Sequence, residues 1–303
     1  MDRIFQWVSG IPPVTRYWSI AILSASILTT LRIVLPVQFV FIVDKAFSSQ
    51  PWRLITSFCY FDDLLIELII NIWFIIRSSR YLEEGFSTKI ALFPPNTINT
   101  LNTDQRNFLK RIIDRNKSID YLYFVLLICG SIVAAVTYGS NNFDFKIHRL
   151  GSLLDDILLY IWCRSNPNLD VNMFGFFTIQ TAYLPWCYTM LNWVLLKDFL
   201  TDFLALMSGN LRLIASVFTK PFVWRVVICY SLGHFWWFSR DFLLCQFYYD
   251  YNDERRQIRS ETPKRIEQES RISSYHNIPR RILTLILLPP WYWVILKKIR
   301  ERP

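Results

Sequence analysis

Residues Tyr121 to Tyr138 (YLYFVLLICGSIVAAVTY) run for eighteen positions without one charged side chain. About eighteen such residues, wound as a helix, cross the hydrocarbon core of a bilayer. A run of that length leaves few choices for the chain around it. Of the 303 residues 52% are hydrophobic and 17% aromatic, yet 33 are Lys or Arg and the net charge is +9. Apolar and charged residues must therefore occupy separate stretches, which points to a multi-span helical membrane protein.

A second run, Tyr17 to Leu35, is also long enough to span; Arg32 near its end can extend toward the headgroups. The stretch before it has no uninterrupted apolar core followed by a small-residue cleavage site, so it reads as retained rather than cleaved. Four further runs are shorter. Leu64 to Ile76 can be lengthened back through Leu54 only by including Asp62 and Asp63. Ile157 to Trp162 is a short patch preceded by Asp155 and Asp156. Tyr183 to Leu196 and Pro221 to Phe238 complete the set, the last with Arg225 inside it. Buried helices of a soluble protein would look similar, but Trp18, Trp73, Trp186 and Trp193 near the run ends suit a membrane bundle. The expectation is six spans, the fourth carrying the weakest signal.

Six spans place both termini on one side. That side would hold Arg3, Arg16, the eight basic residues from Arg77 to Lys117, Arg164 and the thirteen from Arg240 to Arg302, 24 in all, against seven on the other. The excess puts both termini in the cytosol. It also accounts for the basic residues by sidedness; no aromatic-interleaved basic patch points to nucleic acid. The expected organisation is a six-span domain over residues 1–249, a charged cytosolic tail over 250–281, and an apolar, basic segment over 282–303. Within the last, ILTLILLPPWYWVIL is broken by Pro289-Pro290 and reads as a membrane-surface segment; a seventh span is the alternative.

Counting excludes several chemistries. The eight glycines are never closer than nine residues apart, so no G-x-G-x-x-G, P-loop or G-x-S-x-G elbow can occur. The six cysteines lack C-x-x-C spacing and read as buried thiols. The three histidines are distant from one another, so no metal or cofactor site is expected. A serine protease within the membrane would need a G-x-S-G nucleophile and a histidine base. The nearest imitations are Leu206-Met207-Ser208-Gly209 and Gly151-Ser152, which leave His234 without a partner. Glu67 and Asn71 lie four apart on one helical face of the second span. They either line a wet cavity or form an inter-helix hydrogen bond that locks packing.

Five blocks, in order from about residue 11 to 245, resemble the Derlin family, the catalytically dead relatives of rhomboid proteases in the endoplasmic reticulum. They are Ile11-Pro12-Pro13-Val14-Thr15-Arg16-Tyr17-Trp18; Gln50-Pro51-Trp52-Arg53-Leu54-Ile55-Thr56-Ser57-Phe58; Asn71, Ser79, Leu82-Glu83 and Gly85; Asn168, Val171, Met173-Phe174-Gly175 with Tyr183-Leu184-Pro185-Trp186; and Gly233-His234 followed by four aromatics.

The resemblance implies an all-α, six-span rhomboid-like helical bundle in the endoplasmic reticulum membrane. No catalytic residue is expected in it. Its role would be to aid return of misfolded lumenal and membrane proteins to the cytosol, in a thinned bilayer beside a membrane-embedded ubiquitin ligase and its scaffold. Trp52 and Arg53 would shape a lateral opening; composition alone allows an interfacial aromatic with an extended arginine. Glu67 and Asn71 would lie along the substrate path, and Gly233 would let the helix of His234 pack closely. Three departures stand out. The loop 198–220 is enlarged, Cys229 replaces a glycine of the sixth span, and the tail lacks the Phe/Gly-rich box that recruits the valosin-containing AAA ATPase. Coupling to that ATPase would then be indirect. An active intramembrane serine protease and a small-solute transporter remain the alternatives.

Overall fold

The computed structural model describes residues 9–61, 66–89, 92–93, 97–98, 100–143, 147–173, 177–194, 199–218, 220–243, 282 and 285–301, and these are predominantly helical. The expected tail 250–281 lies outside the described residues. The chain divides into two compact units, Met1–Glu84 with Val125–Phe235, and Gly85–Phe124 with Trp236–Pro303.

Helix α1 (Pro13–Thr30) starts with proline at its first position, where the absent N–H would lack a helical partner anyway. No local side chain caps it. The carboxylate of Glu83 does so instead, accepting from the backbone N–H of Val14 at 3.0 Å, the N–H of Thr15 at 2.8 Å and the Thr15 hydroxyl at 2.8 Å. A negative group suits the positive end of the helix dipole.

The far end of α1 closes as a Schellman motif. Arg32 N–H donates to the Thr29 carbonyl at 2.9 Å and Ile33 N–H to the Leu28 carbonyl at 3.0 Å. Arg32 sits in the left-handed region, φ 57°. The expected continuous run to Leu35 is thereby corrected: Arg32 is the residue on which the chain turns out of the helix.

Three single helical turns follow, Pro36–Phe39, Val43–Ala46 and Arg53–Thr56. Helix α2 is described over Ile66–Glu84, and Tyr60 and Phe61 before it are not helical, so the second run does not extend back through Leu54 as one helix. Ile22 of α1, Phe61, Leu68 and Ile75 form a buried cluster between α1 and α2. Helix α3 (Thr103–Arg115) opens with a reciprocal Asn102/Gln105 capping box. Helix α4 (Lys117–Phe143) contains the uncharged run and spans about 40 Å at 1.5 Å per residue. Among the described residues it is the one helix long and apolar enough to cross a membrane by itself.

Helix α5 (Leu150–Ser165) departs most from expectation. The patch with the weakest sequence signal is part of a sixteen-residue helix, twelve of whose residues are buried, and Asp155 and Asp156 lie inside it. A helix enclosed by others needs no lipid-facing run, so apolar length understates it. Gly151 permits part of that enclosure: a Cβ there would stand 2.6 Å from the Phe58 carbonyl oxygen, and its own N–H donates to Ser57 O at 3.0 Å.

A two-stranded antiparallel ribbon, β1 (Asp170–Met173) with β2 (Phe177–Gln180), is set among the helices of this predominantly helical chain. Val171 lies opposite Ile179 in it. Helix α6 (Leu184–Val194) follows. The enlarged loop folds as two helices, α7 (Phe199–Met207) and α8 (Leu211–Phe218), with Gly209 at φ 66° between them and an Asp202–Lys220 ion pair. Helix α9 (Pro221–Trp237) passes into a π-helical turn, Phe238–Leu243, and α10 (Trp291–Arg300) is last.

Helix α1 buries small polar residues beside apolar ones. Thr15, Ser19, Ser26 and Thr29 are buried along with Ile22 and Ala25, whereas Tyr17, Ile20, Leu23 and Ile27 face outward, Tyr17 being 65% exposed. Ser19, Thr29 and Thr30 bond back to carbonyls of their own helix, which satisfies their hydroxyls without water. Small polar residues inside and large apolar ones outside are the composition of helices packed within lipid.

Two substitutions test these ends. Glu83→Ala strips the acceptor from two helix N–H groups and a buried hydroxyl, and is expected to cost about 1–3 kcal/mol, read as a lower thermal midpoint in detergent. Arg32→Gly relieves the left-handed conformation and is expected to raise that midpoint, by up to ~1 kcal/mol.

Candidate functional site

Buried polar side chains of the first unit gather where α2, α5, α6 and α9 meet. Arg225 of α9 holds Asp156 of α5 through two guanidinium nitrogens, Nε at 2.8 Å and the terminal nitrogen at 2.7 Å from Oδ2. Both nitrogens meet the one oxygen in a charge-assisted contact, and the buried Asp156 Oδ1 has no hydrogen-bond partner among the described residues. Arg225 also reaches the Ser152 carbonyl at 3.5 Å. Asp155, 1% exposed, turns both carboxylate oxygens into the interior with no hydrogen-bond partner among the described residues.

Asn71 of α2 accepts a hydrogen bond from the Tyr188 hydroxyl of α6 at 3.0 Å. The Tyr188–Asn71 and Arg225–Asp156 pairs thus draw polar side chains from four helices. Phe74 closes against Tyr188 with ring centroids 4.6 Å apart. Glu67 shares α2 with Asn71, but its side chain lies outside the described residues.

The first-loop pair separates into two roles. Arg53 is 3% exposed, and one guanidinium nitrogen donates to the carbonyls of Val37 at 2.5 Å and Val40 at 2.7 Å while Nε donates to Gln50 Oε1 at 2.6 Å. It pins the loop to itself. An arginine extended into the headgroups is thus replaced by an arginine folded inward, because three loop acceptors converge on it. Trp52 beside it is 51% exposed. The loop is stitched to the start of α5: the Phe41 N–H donates to His148 O at 2.8 Å and Arg149 to Phe61 O at 3.0 Å.

Gly233 lies against Tyr160 of α5; a Cβ there would stand 2.8 Å from the ring. His234 Nδ1 meets the Tyr160 hydroxyl at 3.1 Å, and Arg164 Nε donates to the same oxygen at 3.3 Å. Ser152 lies eight residues before Tyr160 on α5, about 12 Å along the axis. Its hydroxyl donates to the Arg149 carbonyl at 3.2 Å. The candidate sites thus fall into three groups: the first loop, the polar cluster that includes Asn71, and the Tyr160–His234 contact.

Sequence reasoning passed over Asp155, Asp156, Tyr188 and Arg225 as members of a site. The signal was present: an acid pair and a base in separate apolar runs both need a counter-charge, and each is the other's nearest remedy. A sequence model of the Der1-like family matches residues 11–223, which covers every helix from α1 to α8.

The chain belongs to the Der1-like family.

Relatives agree in kind. The chain is 25% identical over 211 residues to a probable derlin-2 homolog of Dictyostelium discoideum, covering 67% of this chain and 70% of that one. It is 28% identical over 218 residues to a probable derlin-1 homolog of the same organism, covering 70% and 74%. To an uncharacterized derlin-like protein of Schizosaccharomyces pombe it is 26% identical over 224 residues, covering 71% of this chain and 96% of the relative. In this Der1-like chain the matched region holds Asn71, Asp155, Asp156 and Tyr188, and stops just before Arg225.

The ion pair is testable by a double-mutant cycle. Arg225→Met leaves Asp156 buried without its cation and is expected to lower stability by on the order of 3 kcal/mol. Adding Asp156→Asn should restore most of the loss, because it removes the stranded charge. Thermal midpoints of the two single variants and the double variant in one detergent read the coupling.

Proposed function

We propose that this Der1-like chain is a non-catalytic, Derlin-type factor of endoplasmic-reticulum-associated degradation. It is a six-span bundle in that membrane with both termini cytosolic. It helps misfolded lumenal and membrane proteins return to the cytosol beside a membrane-embedded ubiquitin ligase and its scaffold. Force comes from an AAA ATPase that it engages indirectly.

Helix length is the observation that carries the reading. At 1.5 Å per residue, the sixteen residues of α5 reach about 24 Å and the eighteen of α1 about 27 Å. A bilayer core is about 30 Å thick. A bundle of such helices draws the bilayer thinner around it, and a thinner core lowers the cost of carrying a polar segment across. The apolar outward face of α1 and the buried and half-buried polar residues Asn71, Asp155, Asp156, Tyr188 and Arg225 support a bundle apolar outside with polar groups within. The level of Ser152, about 12 Å along α5 from the tyrosine that meets His234, counts against a serine protease. Trp52 is a first-loop residue exposed enough to meet a substrate, whereas Arg53 is engaged in holding the loop.

Trp52→Ala is expected to lengthen the half-life of a misfolded lumenal reporter several-fold in cells, at unchanged level of the chain. Arg53→Ala should instead lower the level of the chain itself. Normal reporter turnover with Trp52→Ala would remove the first loop from substrate handling. The chain is also expected to co-purify in mild detergent with a membrane ubiquitin ligase, and its absence from such a complex in cells that degrade the reporter would overturn the partnership.

A further inference from the structure

Helix α10 has two faces with different surroundings. Tyr292, Leu296 and Ile299 recur at helical spacing on one face and are buried within the second unit. The Tyr292 ring meets Phe93 edge-on at 5.3 Å, and Gln105 of α3 donates to the Ile299 carbonyl at 3.2 Å. The anchor is Asp120, 1% exposed, whose carboxylate accepts from Thr88 Oγ1 at 2.5 Å, Tyr292 Oη at 2.6 Å and Trp291 Nε1 at 3.1 Å. Burial, with the bond to Asp120, holds the Tyr292 hydroxyl protonated well above the usual tyrosine range, so it serves as a donor.

Asp120 is the residue immediately before the uncharged run of α4. One turn further, Tyr123 lies edge-on against Trp291 at 5.5 Å and donates to the Ile286 carbonyl at 3.0 Å. Helix α10 is therefore fixed at the level where α4 changes from polar to apolar sequence. On its outward face, Trp293 and Val294 are exposed, and Lys297 and Lys298 lie four residues beyond each of them, also exposed. Leu285 and Ile286, exposed as well, precede the helix.

We propose that this outward face binds the anionic lipid surface of the leaflet that α4 enters. Trp293, Val294 and the Leu285-Ile286 pair lie at the boundary between acyl chains and headgroups. Lys297 and Lys298 meet the anionic headgroups, while Asp120 locks the inward face to the protein. The pattern of apolar residues followed by a cationic pair fits a bilayer interface with negative charge. The direction of the lipid rests on the membrane reading given under Proposed function; the degradation role is not needed for it.

The test uses the full chain with benzoyl-phenylalanine in place of Val294, purified and reconstituted in bilayer discs of phosphatidylcholine alone or of equimolar phosphatidylcholine and phosphatidylserine. After irradiation, mass spectrometry is expected to find lipid adducts on the chain, several-fold more with phosphatidylserine. Lys297→Glu with Lys298→Glu should abolish that increase. Asp120→Ala should reduce adducts in both discs; where it fails to fold, Trp291→Phe removes one donor and should reduce them less. No lipid adduct in either disc, or a cross-link to a second copy of the chain in place of lipid, overturns the inference. So does an adduct yield indifferent to phosphatidylserine. Adducts at position 294 in a chain inactive in reporter turnover would sink the degradation role alone, whereas normal turnover without adducts would sink the lipid face alone.

Discussion

Every polar group within these helices must be answered from inside the bundle, because the surface of α1 offers hydrocarbon side chains outward and hydroxyls inward. Water does not bring up the remainder in such a setting, and an unanswered donor or acceptor costs a few kcal/mol. The placements of Glu83, Asn71, Asp156 and Arg225 follow from that requirement. Glu83 is consumed by the free N–H groups that open α1, at 2.8 and 3.0 Å, so one carboxylate both caps one helix and holds it to the end of another. Tyr188 and Asn71 satisfy each other across α6 and α2, and Arg225 and Asp156 across α9 and α5. Asp155 is one of the exceptions among the described residues, with Asp156 Oδ1, Ser57 Oγ, Arg77 Nε and Thr137 Oγ1. Its two buried oxygens leave it with more unmet hydrogen-bonding capacity than any other of them.

The first loop acts by geometry. Arg53 converts a wandering stretch between two helices into a fixed one by gathering two carbonyls and a glutamine, and Gly151 lets that stretch close on α5. Trp52 is thereby held outward on a rigid base. At the other end of α5, the bare surface of Gly233 admits Tyr160, whose hydroxyl then occupies His234. Both glycines serve close approach to α5, the helix around which the first unit is enclosed.

How much could be read in advance varied by element, for physical reasons. The run inside α4 was legible because lipid-facing helices must be apolar along their length, and that leaves a mark in composition. Helix α5 was nearly illegible: surrounded by protein, it can carry two aspartates and still be buried, provided an arginine from α9 arrives. The inward turn of Arg53 was hidden because its acceptors are backbone carbonyls, which every sequence has. Arg32 read as part of a span since nothing local distinguishes a left-handed arginine from a helical one. The helices of the enlarged loop and the β1–β2 ribbon were missed as short elements whose partners lie beside them rather than in a repeating pattern.

Composition and order alone determined that this chain is a membrane protein of helices, that it lacks the glycine spacing of nucleotide and hydrolase sites, and that its blocks run in Derlin order. Those properties depend on which residues are present and how far apart they stand. Only the tertiary structure decided that Asp156 meets Arg225, that Glu83 caps α1, that Tyr160 occupies His234 and that Asp120 seats the tail helix. Each of these joins residues more than fifty positions apart, and a hydrogen bond acts over about 3 Å, so the partner becomes known only when the helices are in place.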